Sequence, residues 1–241
     1  MLRHLVTGTA FAIVASTAAS AQEWSSQVTP YVWATGLGGD LTPFSGAPTL
    51  SFDKGFSELI KDLNGAFFVS AYARRERLVL MGDFSWFNSS KSGNLQGNTP
   101  ARGKLSQKSL TLLAGWQAVK NDKMTLDVLA GARAWNVKTS VKVAGGALSA
   151  SRNKKFIDPI VAVRANIALA PQWSAIAYAD FGGFGVGSKR TSQFMATVNY
   201  EVSDRAWISA GYRQLNVRYE GGGTAIDVKL SGPLLGATWR F

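Results

Sequence analysis

The stretch Asp180–Arg190, DFGGFGVGSKR, resembles a phosphate-binding loop because of its spaced glycines. Such a loop needs Gly, four residues, Gly, then Lys followed by Ser or Thr. Gly182 and Gly187 have this spacing, but Ser188 precedes Lys189, so the required order is reversed. A phosphate loop also opens a helix, whereas the residues that follow here alternate as in a strand. We therefore predict that the glycines bend a connection between two strands.

Other residue types that perform chemistry are scarce. The chain has no cysteine, and its one histidine, His4, lies in a segment that we expect to be removed. Nucleophilic systems that use histidine and histidine-ligated zinc sites are therefore excluded from the rest of the chain. Carboxylates such as Asp83 and Asp180 could form an acid/base pair in principle, but neighbouring arginines would keep them ionised. We expect no catalytic, cofactor-binding or metal-binding residues.

The N-terminal segment has the pattern of a secretory signal peptide. Arg3 precedes an apolar stretch that ends in Ala19-Ser20-Ala21, a small-residue cleavage site, so we predict a signal peptide over residues 1–21 and one domain over 22–241. A single membrane helix is the alternative, but the apolar stretch is short and contains Ser and Thr. Removing Arg3 lowers the net charge from +11 to +10, which leaves the exported domain strongly basic.

The apolar residues of the domain alternate with polar ones. In one example Phe194, Ala196, Val198 and Tyr200 share one parity, and Met195 is the exception on the other. Period two over ten or so residues predicts strands with one apolar face. About ten such segments occur, near residues 26–42, 63–75, 77–88, 104–118, 124–140, 154–169, 173–182, 190–202, 205–219 and 224–241.

The connections between these segments alternate in length, which indicates a membrane barrel. Short turns such as KNDK and VSDR alternate with long polar loops near residues 43–62, 88–103, 141–153, 183–189 and 219–224. Bacterial outer-membrane barrels have short periplasmic turns and longer external loops. We predict an all-β, antiparallel transmembrane β-barrel of about ten strands, with eight as the second choice. A soluble periplasmic sandwich is the alternative, because strand patterning alone does not separate the two.

Tryptophans and the C-terminus favour the barrel. Amphipathic rings collect at membrane interfaces, and five tryptophans fall near the predicted periplasmic ends: Trp24, Trp116, Trp173, Trp207 and Trp239. The chain ends in GPLLGATWRF, with Leu235, Trp239 and Phe241 on one face. Here the sequence resembles the small bacterial outer-membrane β-barrel family, the opacity and OmpA/OmpW-like porins. The resemblance implies a Gram-negative outer-membrane location and a terminal aromatic strand that the barrel-assembly machinery reads.

If the apolar face meets lipid, the other face collects charges of both signs inside the barrel. These residues are Arg74, Asp83, Asp127, Arg133, Asp158, Arg164, Asp180, Arg213 and Arg240. One interpretation is an ion-pair network that stiffens a structural barrel. The other is a narrow, anion-preferring, porin-like pore, because five arginines face four aspartates.

The outer loops add two predictions. Phe56, Leu59, Ile60 and Leu63 have helical spacing, so we predict a short amphipathic helix in the first long loop, either a gate or a helix packed on the rim. The third long loop holds a basic cluster without acids: Lys138, Lys142, Arg152, Lys154 and Lys155. It is either solvated surface or a binding surface for lipopolysaccharide or host glycans. Nucleic acid is not expected as a partner of an exported barrel.

Overall fold

The computed structural model describes residues 24–42, 49–55, 57, 63–95, 99–143 and 148–241. These residues form twelve strands and no helix long and apolar enough to cross a membrane. The predicted signal peptide and most of the predicted helix lie outside the described residues, but Leu63 begins a strand. The strands are β1 (Ser25–Trp33), β2 (Gly36–Thr42), β3 (Leu50–Lys54), β4 (Leu63–Arg75), β5 (Leu78–Leu95), β6 (Thr99–Lys120), β7 (Met124–Val143), β8 (Leu148–Ala170), β9 (Trp173–Gly182), β10 (Arg190–Ser203), β11 (Ala206–Gly221) and β12 (Thr224–Arg240).

Ten of these strands form a closed antiparallel barrel, as the sequence predicts. The order is β1 and then β4 to β12, and β1 pairs with β12 to close the ring. Both ends of the barrel chain, Ser25 and Arg240, lie at the same end as the short turns, so this is the periplasmic end. At the opposite, outer end, Gly222 and Gly223 both have positive φ, which suits the tight turn between β11 and β12.

The first predicted strand is interrupted. Residues 26–42 form β1 and β2 with a break at Ala34 and Thr35, so that β1 pairs with β4 while β2 pairs with β3. Both strands continue along β12, and the β2–β3 hairpin is therefore an addition to the outer end of the ring. The sequence analysis did not predict β3, because the five residues of this strand are too few for a periodic signal.

Strands β5 to β8 are longer than predicted, and much of the predicted loops at 88–103 and 141–153 is strand. β6 has 22 residues and β8 has 23, about twice the 9–11 that a membrane crossing requires. Ser and Asn dilute the apolar alternation in these extensions, because there is no lipid outside them. We call the parts of β5 to β8 beyond the membrane the outer extension (residues 86–95, 99–108, 136–143 and 148–155).

Large apolar side chains cover the outside of the barrel below the outer extension. Leu112 is 58% exposed, Val161 52% and Leu235 63%, and they belong to a belt that surrounds the ring. Soluble proteins do not expose large apolar side chains on all sides of the molecule in this way, so the belt faces lipid. Trp24, Trp116, Trp173 and Trp239 are exposed near its periplasmic edge, as predicted. The closed ring and the belt exclude the soluble sandwich.

Candidate functional site in the lumen and on the outer strands

The interior of the barrel is filled by charged and apolar side chains together. Three Arg–Asp ion pairs lie inside, and each aspartate also accepts a hydrogen bond from a tyrosine hydroxyl. The sequence analysis placed these arginines and aspartates inside but did not identify the tyrosines, Tyr31, Tyr72 and Tyr178. Parity could have found Tyr72 and Tyr178, because Tyr72 lies two residues before Arg74 and Tyr178 two before Asp180.

The first pair joins β7 to β9. Arg133 Nη2 lies 2.5 Å from Asp180 Oδ2, and Nη1 lies 3.2 Å from Oδ1, so the contact is bidentate. Arg133 Nε donates to Thr111 Oγ1 at 2.8 Å, and Tyr178 donates to Asp180 Oδ2 at 2.7 Å. Both charged side chains are almost fully buried. The pair is therefore compensated by hydrogen bonds and forms part of a packed interior.

The second pair joins β11 to β5 across the lumen. Arg213 Nη2 lies 3.0 Å from Asp83 Oδ1 and donates to Gln193 Oε1 at 2.7 Å, while Nη1 donates to the Tyr31 hydroxyl. Tyr31 donates in turn to Asp83 Oδ2 at 2.8 Å. The guanidinium carbon lies 4.7 Å from the ring centre of Trp33, so an aromatic face covers the cation. This arrangement ties four strands together through one arginine.

The third pair lies between β8 and β7. Arg164 Nη1 is 3.3 Å from Asp127 Oδ2, and its guanidinium carbon lies 4.4 Å from the ring centre of Tyr72. Asp127 also accepts from Tyr72 at 3.1 Å and from Gln117 Nε2 at 3.4 Å. Asp127 is fully buried. All three pairs thus combine an arginine, an aspartate and a tyrosine.

Three residues of the predicted charge network have other contacts. Asp158 accepts from Trp135 Nε1 at 2.8 Å and from the backbone nitrogen of Ser188 at 2.6 Å, and no ion pair reaches it within the described residues. Arg74 donates to the carbonyl of Glu76 at 3.0 Å, and the exposed Arg240 lies 4.4 Å above the ring of Trp207. The two arginines lie near the periplasmic ends of their strands, where water solvates the charge.

The contacts of Asp158 explain why the connection between β9 and β10 is rich in glycine. Ser188 is fully buried, so the connection from Gly183 to Lys189 folds inward over the end of β9. A Cβ atom on Gly187 would lie 2.3 Å from the carbonyl oxygen of Ile157 and 2.7 Å from Asp158 Oδ1. The glycine is therefore required by close packing, which agrees with the structural interpretation of this stretch.

Apolar side chains occupy the remaining lumen, and the sequence analysis did not predict them. One cluster contains Trp33, Leu37, Phe68, Trp135, Leu215, Val217, Leu230 and Leu234, and a second contains Val79, Leu113, Leu129, Ile160, Ala162 and Tyr178. Met195, the exception in the alternation of β10, packs against both. A cavity of about 80 Å³ lies in the periplasmic half, where Gln27, Thr29 and Asn199 help to line it.

The described residues of the predicted basic loop lie in strands. Lys138 and Lys142 belong to β7, and Lys155 belongs to β8; all three are exposed and share the parity of the lipid-facing residues below them. Arg152 and Lys154 have the opposite parity, and Lys154 Nζ donates to the carbonyl of Gly221 at 3.3 Å, which ties β8 to β11. The predicted basic cluster therefore contains residues from both the outward and the inward face of one sheet.

Strand β6 adds cations that the sequence analysis left out. Arg102, Lys104 and Lys108 are exposed and lie on the same outward face as Lys138 and Lys142. The sequence could have placed these cations on the outward face, because their even numbering matches that of the lipid-facing Leu110 and Leu112. Arg102 was missed because the segment from 88 to 103 was interpreted as a loop, whereas Lys104 and Lys108 lie in the strand predicted at 104–118 and were not compared with the cations of the neighbouring strand.

Comparisons with known proteins support the fold. No protein-family model matches the sequence, and no curated protein matches it. Among solved structures, the outer membrane protease OmpT from Escherichia coli is 9% identical with a TM-score of 0.53, and the match covers 90% of this chain and 93% of that one. Ail, the attachment invasion locus protein of Yersinia pestis, is 14% identical with a TM-score of 0.38, covering 92% of this chain and all of that one. Neisserial surface protein A is 12% identical with a TM-score of 0.35, covering 90% and 97%.

Of these likenesses, the one to OmpT is strong enough to show a shared fold. Together with the closed ring and the lipid-facing belt, it defines the class: the chain is a bacterial outer-membrane β-barrel. The location and architecture that the sequence predicts are thereby confirmed. At 9% identity the likeness carries no activity over to this chain.

Proposed function

We propose that this protein is a closed barrel that acts at the cell surface through its outer extension, and that it is neither an open porin nor an enzyme. The observation that carries the proposal is the filled lumen. Its three Arg–Asp pairs and two apolar clusters leave, among the described residues, a cavity of about 80 Å³ in the periplasmic half and one of about 40 Å³ in the outer half. These volumes hold a few water molecules but do not by themselves provide a path for hydrated ions.

The pairing of the lumen arginines also argues against an open, anion-preferring pore. A pore that prefers anions needs arginines whose charge is available to the passing ion. Here Arg133, Arg164 and Arg213 are each paired with an aspartate, so their fields are largely neutralised. Arg240 is free of these pairs but lies at the periplasmic rim. The narrow, anion-preferring pore therefore requires a rearrangement of the lumen and is our second candidate.

The case against catalysis rests on the same contacts. Asp83 and Asp180 each have their own arginine and tyrosine, so neither is poised to share a proton with the other. Residues 22–241 contain no histidine and no cysteine. The fold shared with the protease OmpT supplies a scaffold and not a mechanism.

Conductance in planar bilayers tests the proposal. The refolded wild-type protein should leave the bilayer silent, since the apolar clusters interrupt any aqueous path. Arg213→Ala should create small, flickering openings, because it removes the side chain that joins β11 to Asp83 and Tyr31. An Arg218→Ala variant, which changes an exposed outer cation, is the matched control and should stay silent. A steady anion-selective current in the wild type would contradict the closed barrel and favour the pore.

A further inference from the structure

Six cations form an ordered array on the outward face of the outer extension. We call this array the basic ladder. Its members lie on three neighbouring strands, and each side chain is exposed; they are Arg102, Lys104 and Lys108 on β6, Lys138 and Lys142 on β7, and Lys155 on β8.

Strand register arranges the ladder in four successive rows. Each row contains at least one cation, and the side chains between the cations are Ser or Asn. From the membrane outward the rows are Lys108–Asn136–Lys155, Ser106–Lys138–Asn153, Lys104–Ser140–Ser151 and Arg102–Lys142–Ser149. Same-face residues along a strand are about 7 Å apart, so the ladder extends for roughly 20 Å beyond its first row.

The first row lies immediately outside the lipid-facing belt. Lys108 and Lys155 are each two residues from an exposed apolar side chain, Leu110 and Ile157 respectively. The step between apolar and basic rows is therefore about 7 Å. This is the level at which lipid headgroups surround a barrel, so the innermost cations are placed to meet headgroups rather than bulk solvent.

Acidic residues are absent from this face. The chain contains no Asp or Glu between Asp83 and Asp122, nor between Asp127 and Asp158, and Asp122 lies in the periplasmic turn between β6 and β7, at the opposite end of these strands. In the outermost row Arg102 and Lys142 are direct cross-strand partners, an arrangement of like charges that destabilises a sheet. Arg218, by contrast, is an exposed cation that pairs with Glu220. An anionic group from outside the chain would therefore relieve the repulsion within the ladder.

We propose that the basic ladder binds the phosphates of an outer-leaflet glycolipid, of the lipid A type, whose acyl chains lie on the apolar belt below. The two parts of such a lipid match the two adjoining surfaces: anionic phosphates meet the lysines, sugar hydroxyls meet the Ser and Asn side chains, and acyl chains meet Leu110 and Ile157. A soluble anionic glycan has no acyl chains and would therefore not contact the apolar belt that adjoins the ladder. The inference rests on the proposed function only in taking the outer extension to be at the cell surface.

Lipid binding to the refolded, full-length protein in detergent tests this assignment. Native mass spectrometry would measure the dissociation constants of bis-phosphorylated lipid A, of the same lipid A without phosphates, and of a soluble sulfated glycan. The test variant carries Lys108→Gln, Lys138→Gln and Lys155→Gln. The control carries Lys120→Gln, Lys123→Gln and Arg205→Gln, three exposed cations at the periplasmic end, and so has the same change in charge. Heat-modifiable gel mobility would verify that both variants are folded.

We expect a loss of affinity for lipid A that depends on both the lipid phosphates and the ladder cations. A lysine near an anionic surface contributes roughly a factor of five in affinity, so three contribute about a hundredfold at most. We expect the test variant to bind phosphorylated lipid A at least tenfold more weakly, and the control to change less than about twofold. Wild-type affinity for dephosphorylated lipid A should be reduced comparably and should not respond to the ladder substitutions.

Three outcomes would overturn the proposal: equal losses in the two variants, binding that ignores the phosphates, or tighter binding of the soluble sulfated glycan than of lipid A. The last would make a glycan of another cell the partner. None of these results bears on whether the lumen is closed, which the conductance measurement decides separately.

Discussion

Replacing Arg133 with methionine would test whether the lumen is as dry as its contacts indicate. The substitution keeps most of the aliphatic length but removes the bidentate contact to Asp180, together with the hydrogen bond to Thr111. Asp180 would then keep only the hydroxyl of Tyr178 among the partners observed here. Breaking one side of a buried ion pair costs roughly 3–5 kcal/mol, because the remaining charge is uncompensated. We expect a loss of that size in the free energy of unfolding.

A double-mutant cycle isolates the pair from the loss of packing. Asp180→Asn alone leaves Arg133 unpaired and should also be strongly destabilising, whereas the double variant carries no uncompensated charge. The coupling free energy between Arg133 and Asp180 should therefore reach roughly 2–3 kcal/mol. The exposed pair of Arg218 and Glu220, 3.2 Å apart with side chains about half exposed, provides the comparison. Its coupling should stay below about 1 kcal/mol.

Urea unfolding in lipid vesicles, followed by tryptophan fluorescence and by unheated gel mobility, measures these free energies. The reasoning is refuted if Arg133→Met costs less than about 1 kcal/mol and the coupling equals that of the exposed pair. Such a result would mean that water reaches Asp180 and solvates it. It would also favour the pore over the closed barrel.

Two further predictions concern the glycine-rich connection and the C-terminus. Gly187→Ala should lower the free energy of unfolding by roughly 1–3 kcal/mol in the same urea assay, because its Cβ would overlap the carbonyl of Ile157. Gly55 has open space around it, so the control Gly55→Ala should change the free energy of unfolding by less than about 0.5 kcal/mol. Equal effects of the two substitutions would contradict the packing argument. Deleting Phe241 should impair assembly in cells, measured as the folded fraction in outer-membrane preparations. Refolded protein should keep nearly its full stability, since the side chain is 71% exposed, and a large stability loss in vitro would show a structural rather than a recognition role.

The strand pattern was predictable wherever one face meets lipid. The segments predicted at 63–75 and 173–182 match β4 and β9, because lipid imposes an apolar side chain at every second position. The predicted bounds were wrong beyond the membrane, where Lys142, in the loop predicted at 141–153, lies in strand β7. There the outward face meets water and the inward face packs on apolar residues such as Val137, so the apolar side chains change to the opposite parity and do not continue the lipid-facing pattern that identified the other strands.

The lumen was predictable in its composition but not in its contacts. Inward parity was enough to place Asp83, Asp180 and Arg213 inside the barrel. It did not show that Tyr31 would lie between Arg213 and Asp83, whose positions in the chain are 130 residues apart. Nor did it show that Trp33 and Trp135 would fill the space above the charges. These contacts depend on how far side chains reach across a closed ring.

The sequence by itself determined the strands: lipid on one side and a narrow interior on the other impose their period-two alternation. The closure of the ring, which separates a barrel from a sandwich, is seen only in the tertiary structure. Only the tertiary structure decided which charges pair. Arg133 and Asp158 are direct cross-strand partners, and strand pairing alone would favour a contact between them. Arg133 instead reaches Asp180 on β9, while Asp158 holds the backbone of Ser188. Asp127 and Arg164, in contrast, are cross-strand partners that do pair. Register alone therefore does not decide the pairing, because the inward side chains of a closed ring converge and each can reach groups on more than one strand.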